Sequence, residues 1–137
     1  MSHFRDVTES FAVSPQIVIE DVAVARTDGF RLIVNNRPDG EAPDQPTSAE
    51  IEETAKRQGL AYVHVPVVGR PTREQIESEK AAIAAADGPT LAYCRSGTRS
   101  ILTWALGQWL SGGASRAELI AMAAAAGYDL SAAFPAS

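Results

Sequence analysis

Thr90-Leu91-Ala92-Tyr93-Cys94-Arg95-Ser96-Gly97-Thr98-Arg99-Ser100, followed by Ile101 to Leu110, decides how this chain is read. Leu91, Ala92 and Tyr93 have the character of the end of a buried strand. Ile101, Leu102, Ala105, Leu106 and Trp109 recur at helical spacing. The short polar loop between them holds the only cysteine, Cys94, with Gly97 and two arginines, Arg95 and Arg99. A strand, a tight polar loop and a helix in that order form an anion cradle. The free N–H groups of the loop and first helical turn converge on one spot, and the helix dipole favours negative charge there. A cysteine at the mouth of such a cradle is expected as a thiolate, because nearby positive charge and a helix N-terminus both favour that form.

The alternative is that Cys94 only fills space, as free cysteines often do. A packing cysteine has no need of Gly97 three residues on, Arg99 five residues on, and hydroxyls at Ser96, Thr98 and Ser100. Cys94 is therefore read as a nucleophile or sulfur carrier.

The rest of the chain bounds that chemistry. Its 137 residues are read as one domain with one core, residues 1–137. A formal net charge of −5 without a basic run argues against a nucleic-acid partner. No apolar stretch of about 20 residues is present, so no membrane span is expected. Met1 to Asp6 lacks the apolar run of a signal peptide. A single cysteine makes no internal disulfide and fits a reducing cytoplasm. The two histidines with that cysteine give no zinc spacing, and no cofactor motif is found.

In chain order, Phe4 to Phe11 reads as an entry strand, with a turn through Val13-Ser14-Pro15-Gln16. Ile19 to Thr27 reads as a short helix and Phe30 to Asn35 as a buried strand that ends in the turn-rich loop Asn36 to Glu41. Ser48 is placed as the N-cap of a helix from Ala49 to Gln58, with Glu50, Glu52 and Glu53 near its positive end and Gly59 stopping it. Leu60 to Val65 alternates as a strand does. Thr72 caps a helix from Arg73 to Ala86, and Ser115 caps another from Arg116 to Ala126. Tyr128 to Phe134 is expected to add one helical turn before a fraying tail.

Strands alternating with helices imply a mostly parallel sheet of about four to five strands with helices on both faces, an α/β fold in three layers. Ligand sites in such sheets lie beyond the carboxyl ends of the strands. Three loops then converge: Asn35 to Glu41, Val67 to Thr72, and Cys94 to Arg99.

Cys94-Arg95-Ser96-Gly97-Thr98-Arg99 resembles the anion loop of two families, the tyrosine and dual-specificity cysteine phosphatases and the rhodanese-like sulfurtransferases. With Asn35-Asn36-Arg37-Pro38-Asp39-Gly40-Glu41 and Tyr62-Val63-His64-Val65-Pro66-Val67, the stretch from Val13 to Leu110 looks like a particular bacterial family. That family is the phosphatase-like domain found alone or fused to metallo-β-lactamase-fold hydrolases in sulfide-handling proteins. The resemblance implies a dual-specificity-phosphatase-like fold. It also implies a sulfurtransferase activity assigned to some members, with a metallo-β-lactamase-fold protein or a thiol acceptor protein as partner.

Two features divide the chemistries. Four residues separate Cys94 from Arg99; the phosphatase loop is one residue longer, and the count here matches rhodanese. A misplacement of about 1 Å can cost roughly a hundredfold in rate. A phosphatase also needs an acid to protonate the leaving oxygen, worth roughly 10²–10⁴ in rate. The loop Val67-Val68-Gly69-Arg70-Pro71-Thr72 has none, leaving Asp39 or Glu41 as substitutes. Sulfur transfer does without that proton, since the departing thiolate is a good leaving group.

The expected function is therefore sulfur transfer through a Cys94 persulfide, from a small anionic donor such as thiosulfate to a thiol. The alternatives are a phosphatase using the same Cys94, and a non-catalytic anion-binding or redox-sensing module. Arg99 and the loop N–H groups hold the charge, while Ser96, Thr98 and Ser100 bond the loop or the thiolate. Arg95 either draws the anion or is a surface arginine, and Ser100 is equally readable as an ordinary polar residue of the first helical turn. Arg37 and Asp39 form either a second wall of the pocket or an ion pair bracing the turn. Arg70 is a candidate for the rim, His64 reads as structural, and Trp104 and Trp109 as helix packing.

Overall fold

A computed structural model describes residues 3–134, so the tail expected to fray lies outside the described residues. Five strands are named in chain order: β1 (Arg5–Thr8), β2 (Phe11–Ser14), β3 (Leu32–Asn35), β4 (Ala61–His64) and β5 (Thr90–Tyr93). The helices are α1 (Ile19–Thr27), α2 (Ser48–Arg57), α3 (Arg73–Ala85), α4 (Thr98–Leu110) and α5 (Arg116–Ala125). The sheet order is β1-β2-β5-β3-β4. Only the β1–β2 pair is antiparallel. All four residues of β2, β3 and β5 are buried, as strands covered on both faces require. β5 is the middle strand, so Cys94 leaves the sheet at its centre.

Side-chain alternation along the strands divides the core in two. Phe11, Val13, Leu32, Val34 and Ala92 pack with α4 and α5 on one face. Ala12, Ile33, Leu91 and Tyr93 pack with α1 and α2 on the other. Trp104 of α4 stacks on Phe11 with ring centroids 4.9 Å apart and planes 10° from parallel, the packing role expected of it.

Three local expectations are corrected. Phe4 to Phe11 is not one strand, and Val13 and Ser14 belong to β2 rather than to a turn: β1 and β2 form a hairpin in which the Thr8 hydroxyl accepts the Ser10 N–H at 3.1 Å, and this short side-chain turn reverses the chain. The N-cap of α2 is Thr47, not Ser48. Thr47 Oγ1 accepts the Glu50 N–H at 3.2 Å while the Glu50 carboxylate takes the Thr47 N–H at 3.0 Å, a reciprocal box whose acid must lie three residues on. Tyr128 to Phe134 forms no helix. The Asp129 carboxylate captures the Ser131 N–H at 2.9 Å, and Tyr128, Leu130 and Phe134 anchor the segment in the core. Thr72 and Ser115 cap α3 and α5 as read from the sequence. No helix among the described residues is long and apolar enough to cross a membrane.

Candidate active site

Parallel strands bring their carboxyl ends to one side, and there the loops after β2, β3, β4 and β5 meet. Cys94 continues β5 by donating its N–H to Ser14 O at 3.4 Å. Its sulfur accepts the Gly97 N–H at 3.1 Å. Gly97 is the N-cap of α4 with φ +95°, a left-handed conformation that suits glycine. A Cβ there would also run into the Tyr128 hydroxyl. That hydroxyl donates to Ser96 O at 2.8 Å, and Gln16 N–H donates to Arg95 O at 3.1 Å, so the loop is held from both sides. Ser96 Oγ donates to Thr98 Oγ1 at 2.9 Å and accepts the Thr98 N–H at 3.3 Å, which shapes the step into the helix. Cys94 has no exposed surface.

Arg99, in the first turn of α4, donates from Nη1 to Glu41 Oε2 at 2.8 Å and from Nη2 to Glu41 Oε1 at 2.7 Å. Nη1 also donates to Val67 O at 2.8 Å. Arg37 joins from the loop after β3, with Nε on Glu41 Oε1 at 2.9 Å and Nη1 on Gln16 Oε1 at 3.0 Å. The Arg99 hydrogen bonds, helped by Arg37, outweigh desolvation and hold the Glu41 carboxyl down to about 2. The same bond from Glu41 raises Arg99, and Cys94 adds to it. The cluster is thus two arginines around one carboxylate, a net positive charge beside the cysteine loop.

The structure brings Cys94, Ser96, Gly97, Thr98 and Arg99 into one turn and adds Arg37. Arg95 is exposed. Ser100 is buried, with its hydroxyl unpartnered. Asp39 is corrected: its carboxylate accepts the Ser48 N–H at 2.7 Å in the first turn of α2, and Glu41 occupies the place foreseen for it. Arg70 is corrected as well, since it donates to Ala133 O at 2.6 Å and ties down the C-terminal turn. The His64 ring bonds the Arg37 carbonyl at 2.9 Å, a structural part. Gln16, the Val67 carbonyl and Tyr128 escaped the sequence reading. Each has a backbone atom on one side of its contact, which leaves no residue pattern; only the glycine preceding Tyr128 hinted at a chain reversal there.

A mostly parallel five-stranded sheet, with a Cys-x4-Arg loop running from its central strand into a buried helix, defines a protein of the cysteine-phosphatase-like fold. Residues 3–111 match the family described as Beta-lactamase hydrolase-like protein, phosphatase-like domain, and the chain belongs to that family. A Beta-lactamase hydrolase-like protein of Xylella fastidiosa is 39% identical over 126 residues, which cover 91% of this chain and 29% of that protein. The chain thus spans less than a third of the length of this curated relative. A candidate phosphatase of known structure from Neisseria meningitidis superposes with a TM-score of 0.84 at 31% identity, covering 96% of this chain and 94% of that one. TpbA from P. aeruginosa, crystallised with phosphotyrosine, shares the fold with a TM-score of 0.67 at 16% identity, covering 93% of this chain and 76% of that one.

Proposed function

We propose that this chain is a cysteine-dependent phosphatase acting on a small phosphoester, with Cys94 as nucleophile and Arg99 as the clamp for the phosphoryl oxygens. The observation that carries the reading is the Gly97 N–H on the Cys94 sulfur at 3.1 Å, at the N-terminus of a helix whose first turn presents Arg99. The family match and the likeness to the Neisseria candidate phosphatase support phosphoryl over sulfur chemistry, which reverses the preference drawn from loop length. In the first step the Cys94 thiolate attacks phosphorus and the P–O bond to the leaving group breaks. Water then attacks the phosphocysteine, the P–S bond breaks, and the thiolate returns as inorganic phosphate leaves. Glu41 is ionised under its two arginines, so it has no proton to give the leaving oxygen. Substrates whose alcohols leave as stable anions, aryl phosphates above all, suit such a site.

Sulfur transfer is the second reading, favoured by the short Cys-x4-Arg loop and by the ionised state of its nearest carboxylate. There Cys94 takes the outer sulfur of thiosulfate, sulfite departs with the S–S bonding pair, and a thiol removes the sulfur. A thiol acceptor protein or a metallo-β-lactamase-fold partner, and a reducing cytoplasm, belong to this reading. The test is turnover of an aryl phosphate by wild type, Cys94→Ser and Arg99→Ala, beside intact-mass analysis after thiosulfate. Turnover lost in both variants supports the phosphatase. A cyanide-labile gain of one sulfur on Cys94 without phosphate release replaces it with the transferase.

A further inference from the structure

Glu79 of α3 is 1% exposed, with no cation among the described residues bonded to it. Its one side-chain partner among the described residues is Asn36, whose Nδ2 donates to Glu79 Oε1 at 2.7 Å and to Val65 O at 3.0 Å. Both amide hydrogens are thereby used. Two buried oxygens remain without a partner, Asn36 Oδ1 and Glu79 Oε2, and they belong to the two groups already bonded to each other. An amide oxygen and an ionised carboxylate offer acceptors only, and buried acceptors without donors are costly. One proton on Oε2 resolves both: the acid donates to the amide oxygen while its other oxygen accepts from the amide nitrogen.

We propose that Glu79 is retained as a neutral carboxylic acid, closed in a two-bond ring with the Asn36 amide, and that this pair is the positioning element beneath the active-site loops. Burial, against the opposing Asn36 hydrogen bond, pushes this carboxyl up to about 7. Asn36 is the junction through which the pair acts. Its N–H donates to Tyr93 O at 2.8 Å, one residue before Cys94, and its carbonyl accepts the Val67 N–H at 3.0 Å. The Val67 carbonyl in turn receives Arg99, and Arg37, next in sequence, holds Glu41. Loss of the proton places an anion against an acceptor. Glu79 then turns toward the cavity of about 240 Å³ between α3 and α4. Lys80 is the charged group lining that cavity, and the residues facing it from α4, Thr103, Trp104 and Gln108, do not titrate. His64 of β4 is engaged on Arg37 O, and the Asn36 and Val65 partners are neutral.

The deciding substitution is Glu79→Gln, because glutamine offers the acid's acceptor and donor without titrating. For the kinetic arm, which rests on the phosphatase reading, wild-type aryl phosphate turnover should fall in a one-proton step as pH rises through about 7. Glu79→Gln should match wild type within about twofold near pH 6 and lose the step. Glu79→Asp, too short to close the ring, should be several-fold slower at every pH. The second arm needs no activity: carboxyl and amide NMR of the full chain should show Glu79 titrating near pH 7 with the Asn36 side-chain amide moving in step. A retained step in Glu79→Gln, its failure to fold, or a Glu79 signal ionised at about pH 5 overturns the proposal. If wild type turns over nothing while the NMR titration appears, the phosphatase reading falls and the acid–amide pair stands.

Discussion

Gly97→Ala perturbs the loop at the point where the cysteine, the helix and the C-terminal segment meet. Alanine at φ +95° carries the left-handed penalty of a non-glycine residue, roughly 1–2 kcal/mol. Its Cβ also meets the Tyr128 hydroxyl, whose ring carbon Cζ lies only 2.9 Å from the same point. If Tyr128 gives way, its bond to Ser96 O is lost, at about 1 kcal/mol. The sum is about 2–3 kcal/mol. With an unfolding entropy of roughly 2.1 cal/mol/K per residue over 137 residues, it lowers Tm by about 7–10 °C. If instead the Ser96–Gly97 peptide turns to escape, the Gly97 N–H leaves the Cys94 sulfur and oxyanion binding falls. Urea unfolding and calorimetric titration with inorganic sulfate follow the two routes separately. Gly97→Ala combined with Tyr128→Leu should be less destabilised than the sum of the single changes, because the clash is shared. A Gly97→Ala chain that unfolds with wild type and binds sulfate equally, or strictly additive energies in the double variant, would refute this account of the loop.

Other outcomes follow from the same contacts. Burial pushes Glu79 up from the ordinary 4.5 to about 7, so between these values the native state should hold the extra proton. Wild type should therefore lose about 1.4 kcal/mol of stability per pH unit relative to Glu79→Gln across that window, about 3 kcal/mol in all, with no further loss above it; equal pH dependence in the two chains sinks the assignment. Glu41, held down to about 2, contributes its full stabilisation above its ordinary value of 4.5 and loses it progressively as pH falls from there through about 2. Glu41→Gln should accordingly leave the shape of the pH–rate profile unchanged between about pH 5 and 9, whereas a general acid would take the alkaline limb with it. Trp104→Ala removes the stack on Phe11 and should cost about 3–5 kcal/mol in denaturant unfolding; a loss below about 1 kcal/mol would mean that the face collapses to fill the space.

Much of the architecture was legible because the apolar patterning is strong. Phe30 to Asn35 and Leu91 to Tyr93 read as buried strands, where the structure has Leu32–Asn35 and Thr90–Tyr93, and Thr72 and Ser115 announce their helices three residues ahead of Gln75 and Glu118. The hairpin at Thr8 to Ser10 was missed because a hydroxyl-to-backbone turn needs neither glycine nor proline. Thr47 and Ser48 are adjacent cap candidates, and only the spacing to Glu50 separates them. In the site, Cys94 and Arg99 stood out because a glycine and three hydroxyls cluster around them between a strand pattern and a helix pattern. The choice between Asp39 and Glu41 was not, since both lie on one turn and only the path of the chain sends Asp39 to α2 and Glu41 to Arg99. Nothing in the sequence sets Glu79 apart, because its buried partner, Asn36, lies forty-three positions earlier.

Rapid acid quenching of the full chain during turnover of an aryl phosphate, followed by intact-mass and peptide mapping, tests the nucleophile directly. A phosphoryl group on Cys94, absent in Cys94→Ser and slower to form in Arg99→Ala, is the expected result. Phosphate release that survives Cys94→Ser, or an adduct mapped to any other side chain, would contradict the mechanism at its root.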